Sequence, residues 1–168
     1  TSGDLQVDIS DSASIRKLFE QTGKFDALIC AAGNVTFAPL GEMNEDSFAL
    51  GLKDKLMGQV NLLLIGREFA NDGASFTFTT GVLSHDPIRS GASAALVNGA
   101  LDSFVRAAAI ELPRGLRVNS VSPTVLEEAM GHYASYFRGF KPVPAADVAL
   151  AYAKSVEGLH TGQTYQVG

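Results

Sequence analysis

Short apolar runs alternate with longer stretches of helical period along the whole chain, the pattern that a parallel sheet covered by helices on both faces requires. Strands are expected at Leu5 to Ile9, at Phe25 to Cys30 (a more buried run), at Ser75 to Thr80, at Leu116 to Val121 and at Thr164 to Val167. Ser10 or Asp11 can cap a first helix in which Ile15, Leu18 and Phe19 share a face, and Gly23 ends it. Further helical periods run from Glu45 to about Ala70, stopped by Asn71-Asp72-Gly73, and from about Ala92 to Leu112. Two more run from Leu126 to Phe137 and from Ala145 to Glu157. No repeat, low-complexity tract or linker divides residues 1–168, so the expectation is a single α/β domain with a doubly wound, Rossmann-like parallel sheet.

In such a sheet the ligand lies beyond the carboxyl ends of the strands. That rule selects Asp8 and Ile9, Ala31-Ala32-Gly33, Thr79-Thr80-Gly81 and Pro123-Thr124-Val125-Leu126 as site candidates.

Composition removes several function classes. The net charge is -5 with 13 Lys and Arg scattered along the chain, whereas nucleic acid and anionic membranes need a basic patch. No apolar run is long enough to span a bilayer. Cys30 is the single cysteine and there are three histidines, so neither an internal disulfide nor a metal-ligand spacing is present, and a reducing cytoplasm is the expected compartment.

Several motifs, in a fixed order, resemble those of the short-chain dehydrogenase/reductase family. Val7-Asp8-Ile9 resembles the Asp-Val/Ile whose carboxylate meets the adenine of the cofactor, although Asp8 can equally prepare the cap of the first helix. Cys30-Ala31-Ala32-Gly33 stands where the family has Asn-Asn-Ala-Gly, and Arg117-Val118-Asn119-Ser120-Val121-Ser122-Pro123 resembles its Arg-Val-Asn-x-Val-x-Pro, with Thr124 in place of a Gly. Thr161-Gly162-Gln163 resembles the tripeptide before the last strand. The resemblance implies an NADP or NAD cofactor held by Asp8, Ile9, Ala31, Ala32, Gly33, Lys55, Thr79, Pro123, Thr124, Val125 and Leu126. It also implies a carbonyl or alcohol substrate.

The catalytic positions depart from the pattern. An ungapped match anchored on Ala100 to Leu112 places Ala94 where the family has its proton-donating Tyr, Asn98 where it has Lys, and Gly81, preceded by Thr80, where it has the carbonyl-polarising Ser. Lys55, in Lys55-Leu56-Met57-Gly58-Gln59-Val60-Asn61-Leu62, falls at the family's Asn. Lys and Asn are thus exchanged, which resembles the ketoreductase domains of polyketide and fatty-acid synthases. By that resemblance Lys55 binds cofactor ribose or a substrate anion; read on its own it is equally a surface lysine of a long helix. Thr80 can polarise a carbonyl, and His85 is the more capable acid by intrinsic pKa. Ser93, Tyr133 and Tyr136 are further candidates for the missing donor, while Cys30 reads as a small buried strand residue.

The glycine-rich turn that receives the cofactor pyrophosphate in this family is not found in the sequence. A sheet beginning at Leu5 would lack two central strands before Phe25, so roughly 30 residues are expected to precede Thr1 in the intact protein. Ser2, read as the end of the loop that chooses between NAD and NADP, leans toward NADP. Two functions follow: an NAD(P)-dependent oxidoreductase with an unusual acid, or a cofactor-binding sensor or interaction protein without turnover. The apolar stripe Ala100, Leu101, Phe104, Val105, Ala108 and Leu112, with Leu62 to Ile65, exceeds what one sheet can cover. In the family such helices form a four-helix interface, so a homodimer or homotetramer is expected.

Overall fold

The computed structural model describes residues 5–168; Ser2, and any bearing it has on cofactor choice, lies outside them. Four strands form one parallel sheet in the order of the chain: β1 (Phe25–Cys30), β2 (Ala70–Thr79), β3 (Arg117–Pro123) and β4 (Thr164–Val167). Helices α1 (Ser12–Thr22), α2 (Glu45–Gly51), α3 (Met57–Gly66), α4 (Ala92–Glu111), α5 (Met130–Tyr133) and α6 (Ala145–Glu157) supply the crossovers and flanks. A parallel sheet wrapped by helices on both faces is the Rossmann-like architecture expected from the alternation of periods.

The alternating run Ser75 to Thr80 sorts its side chains by face. Phe76 and Phe78 are fully buried with Ile15, Phe19, Leu62, Leu63, Val105 and Val118, so α1, α3 and α4 close over that side. Thr77 and Thr79 turn to the other face, where Thr77 Oγ1 meets Ser155 Oγ of α6 at 2.7 Å and Thr79 Oγ1 meets the Tyr152 hydroxyl at 2.5 Å. Burying hydroxyls here costs little because each finds a partner on α6 or on the sheet. The motif strand β3 is anchored likewise. Asn119 Nδ2 donates to Ser155 Oγ and to the His160 carbonyl, and its Oδ1 accepts from the Gln163 N–H. The Arg117 guanidinium donates to the carbonyls of Ser155 and Val156 near the end of α6, where the helix leaves carbonyls unpaired.

Four expectations from sequence are corrected. Leu5 to Ile9 is not a strand: residues 6–8 are irregular, and Ile9 and Ser10 turn into α1, whose N-cap Asp11 accepts from the Ala13 N–H. The alternating segment Leu5-Gln6-Val7-Asp8-Ile9 needs a neighbouring strand to become one, and none of the described residues pairs with it. Among the described residues β1 stands at the edge of the sheet and is less buried than its apolar composition suggests, with Ile29 51% exposed. The helical period from Glu45 is broken by a π-helical turn at Leu52–Leu56 and ends at Gly66. β2 then starts at Ala70, with Asn71-Asp72-Gly73 bulging between its first and later pairs with β1. Between Leu126 and Phe137 only a 3₁₀ turn at Glu127–Ala129 and the single-turn α5 form.

Candidate functional site

The carboxyl ends of the first three strands open onto one cleft of about 280 Å³. Gly33 and Val35 follow β1, Thr80 to Leu83 follow β2, and Pro123 to Leu126 continue β3. Lys55 enters from the π turn, Ala94 and Asn98 from α4, and Tyr133 from α5. Phe37 and Phe137 complete a largely apolar wall in which Val82, Leu83, Ala94, Val125 and Phe137 pack as one cluster.

Of the positions chosen from sequence, the structure brings together Gly33, Lys55, Thr80, Asn98, Pro123, Thr124, Val125 and Leu126. The others lie elsewhere. Thr79 donates from Oγ1 to the Cys30 carbonyl at 2.7 Å, and Ala31 and Ala32 sit beside it outside the cleft wall. Asp8 is exposed; its carboxylate accepts from the Ser10 N–H at 2.9 Å, which with the Ser10 side chain holds it below the usual carboxylate range. Ile9 packs against Gly58, the glycine of the Lys-x-x-Gly pattern. His85 is exposed and lines a separate polar groove with Asp102, Ser103 and Arg106, so a proton from its imidazole has no short route into the cleft. Ser93 is fully buried with its Oγ toward Gly51, and the Tyr136 ring packs against Phe37 at a tilt of 51°.

Lys55 is half-buried, and its ammonium donates to the Thr80 carbonyl at 3.3 Å. Burial pushes its pKa down to about 8, against the opposing pull of Asp102 and Cys30. The π turn is what aims it, because a fifth residue in the turn rotates the following side chains out of the α-helical register. Gly33 fits here because its φ is +131° and a β-carbon would stand 2.7 to 2.8 Å from the atoms of Lys55. Asp54 fixes the same wall, accepting from the N–H and the side-chain amide of Asn34 at 3.1 and 2.6 Å.

Ala94 presents a methyl group to the cleft and is 3% exposed. One turn further, Asn98 is buried; its Nδ2 lies 3.1 Å from where a β-carbon on Gly81 would stand, and its Oδ1 has no partner. The Thr80 hydroxyl points at the Val121 carbonyl, 3.5 Å away, rather than into the opening. The Thr124 hydroxyl is also buried without a partner. Sequence reasoning missed Val35, Phe37, Val82, Leu83 and Phe137, whose apolar types are indistinguishable from core residues until folded. It also passed over Gln59, fully buried beside Lys55's helix and bonded to the Thr79 backbone.

A nicotinamide dinucleotide fits the residues at this end of the sheet. Two orphaned buried polar atoms, the acceptor Asn98 Oδ1 and the hydroxyl Thr124 Oγ1, and one donating ammonium lie among apolar side chains, a set suited to an amide-bearing ring and a ribose. Among the described residues no cluster of His, Cys, Asp or Glu has the makings of a metal site.

A parallel sheet whose strand ends converge on one cleft is the plan of a dinucleotide-binding α/β domain. The chain belongs to the short-chain dehydrogenase/reductase family: a family model described as enoyl-(acyl carrier protein) reductase matches residues 2–159. Among solved structures it is similar to the protein lin1944 from Listeria innocua, with 52% identity and a TM-score of 0.97 over 99% of this chain and 84% of that one. It is also similar to a small-chain dehydrogenase in complex with NADPH, with 27% identity and a TM-score of 0.85 over 96% of this chain and 80% of that one. A short-chain dehydrogenase from Burkholderia cenocepacia J2315 in complex with NADP shares the fold at 23% identity, with a TM-score of 0.84 over 96% and 73% of the two chains. No curated protein matches the sequence.

Proposed function

We propose that the protein is a nicotinamide-dependent oxidoreductase acting on a carbonyl/alcohol pair, with NADP preferred to NAD, at the cleft between Lys55, Asn98 and Thr124 to Leu126. The observation that carries this reading is the convergence of a half-buried ammonium and two orphaned polar atoms where the strands end. When bound, the nicotinamide supplies or accepts the hydride. Val125 and Leu126 exclude water from the ring's side of the cleft, Thr124 orients its amide, and Lys55 holds ribose or a reacting oxygen by charge. The Lys55 and Asn98 positions follow the exchange that resembles ketoreductase domains, and Asp8 and Ile9 serve the adenine end of the cofactor. The protein acts in the cytoplasm and has no nucleic-acid partner. The NADPH bound in the small-chain dehydrogenase of 27% identity supports the cofactor choice.

The methyl group of Ala94 in the cleft favours a second reading, a cofactor-binding protein that does not turn over. Fluorescence titration with NADPH and NADH, followed by a screen of carbonyl substrates, separates the two. Absence of binding defeats both, and binding without oxidation leaves the second.

A homodimer or homotetramer assembles through α3 and α4, where Leu63, Leu64, Phe104, Ala107, Ala108 and Leu112 line an open groove. Light scattering that gives a monomer at micromolar concentration counts against it.

A further inference from the structure

The hydroxyl donors of the usual site are missing at both positions 81 and 94, and the space they leave is not empty in the same way. At position 94 the cleft is simply wider. At position 81 the vacant side-chain volume is taken by Asn98, whose Nδ2 stands 3.1 Å from the place of the absent β-carbon. A seryl oxygen would project from that carbon toward the reacting carbonyl, so the amide N–H groups of Asn98 sit close to where a serine would donate. Lys55 reaches the same strand end from the opposite helix: its Nζ is bonded to the carbonyl of Thr80, the residue before Gly81. That bond uses one of three ammonium protons and leaves the others free. The two donors therefore flank the dipeptide Thr80-Gly81 from two sides.

Resting on the oxidoreductase reading above, we propose that Asn98 Nδ2 holds the carbonyl oxygen of the substrate and that the Lys55 ammonium protonates it, so that a Lys–Asn pair replaces the absent Ser and Tyr. In the reduction, a hydride from reduced nicotinamide forms the new C–H bond and the carbonyl π pair moves onto oxygen. An N–H bond of Lys55 breaks as the O–H bond forms. The products are the alcohol, oxidised nicotinamide and a neutral Lys55 amine, which regains its proton from solvent.

Competing donors are poorly placed. The Thr80 hydroxyl is turned to Val121, His85 lies in another groove, and Tyr133, which lines the cleft, has its ring packed against Phe37 and Phe137. The groups that set the charge on Lys55 are Asp102 from α4 and Cys30 from β1, with Tyr133 the other titratable lining residue of the cleft. With a pKa of about 8, Lys55 is protonated at neutral pH yet acidic enough to give its proton up. Val35, Phe37, Val82, Leu83 and Phe137 offer no further charge, so the substrate is a neutral, apolar ketone or aldehyde.

The test uses the whole protein with a panel of neutral aliphatic and aryl aldehydes and ketones, NADPH binding by fluorescence, and circular dichroism to confirm folding. Lys55→Arg keeps a cation but cannot give up a proton. It should bind NADPH with Kd within about threefold of the parent while kcat falls by about 100-fold or more. Asn98→Ala should lower kcat by about 100-fold at saturating NADPH. The parent's reductive kcat should fall as pH rises above about 8, and the residual rate of Lys55→Met should lose that limb. Full activity in Lys55→Arg overturns the proton donor, and full activity in Asn98→Ala overturns the oxygen contact; both leave the oxidoreductase reading standing. NADPH bound but no carbonyl reduced overturns the proposal in favour of the binding protein. No affinity for NADPH or NADH overturns the oxidoreductase reading itself.

Discussion

Gln59 grips the end of β2 with both halves of its amide: Oε1 accepts from the Thr79 N–H at 2.9 Å and Nε2 donates to the Thr79 carbonyl at 3.2 Å. Thr79 itself is tied through Oγ1 to β1 at Cys30 and to α6 at Tyr152. Thr80 and Gly81 follow directly, so the position of the carbonyl that holds Lys55 is set by a buried side chain on α3.

Gln59→Leu keeps the volume but leaves two backbone groups without partners in a dry interior. The expected cost is about 2–4 kcal/mol, which for a domain of this length lowers Tm by roughly 4–16 °C. Thermal unfolding followed by circular dichroism checks it. A change within 1 °C would mean that water replaces the amide.

Asn119 is the polar hub of β3, fully buried with three hydrogen bonds that join the strand to α6 and to the turn before β4. Asn119→Leu removes all three and strands the Gln163 N–H and His160 carbonyl, so a loss of about 3–5 kcal/mol is expected. Urea unfolding should show the midpoint falling with little change of slope. Arg117→Ala, which releases only two carbonyls at the end of α6, should cost less, about 1–3 kcal/mol.

These two residues show which parts of the fold were legible in the chain. The strands at 25–30, 75–79, 117–121 and 164–167 and the long helix from Ala92 were readable because turn residues bound each periodic segment. The motif from Arg117 to Pro123 was recognisable as a motif, but its meaning was not, since Asn119 binds segments far along the chain. The apolar letters of β1 suit an edge strand and a central one alike, and among the described residues it pairs on one side only. The π turn left no trace in the periodicity because five residues shift the phase by less than the noise of a short window. Lys55 and Asn98, which line the cleft, stand out in the sequence through the exchange of residue types, whereas its aromatic and aliphatic walls do not, because packing rather than chemistry identifies them.

His85 has the intrinsic pKa for acid catalysis, but its position decides against it. The side chain is exposed beside Arg106 and Asp102, in a groove that shares no lining residue with the cleft. His85→Ala is expected to leave NADPH affinity and any turnover within about twofold, since exposed substitutions away from a site rarely exceed a few tenths of a kcal/mol. A loss of tenfold or more in kcat would show that the loop from Ser84 to Pro87 closes over the cleft during reaction.

Lys55 carries a stability cost that its function would explain. Its pKa stands at about 8 in the fold, below the ordinary lysine value, because desolvation of the ammonium outweighs the attraction of Asp102 and Cys30. A lysine depressed in the folded state is bound by a proton more tightly in the unfolded chain. Stability therefore rises with pH between about 8 and the normal lysine range near 10.4, and below about 8 the penalty is present in full. Lys55→Met, which keeps the length of the chain and removes the charge, should stabilise the protein at pH 7 by about 1–3 kcal/mol. The gain should shrink toward zero as pH approaches 10. Parallel denaturant titrations of the two proteins at pH 7 and pH 10 measure both quantities. Equal stability at pH 7 would mean that the ammonium is well solvated in the cleft, and the charge would then be retained at no cost to the fold.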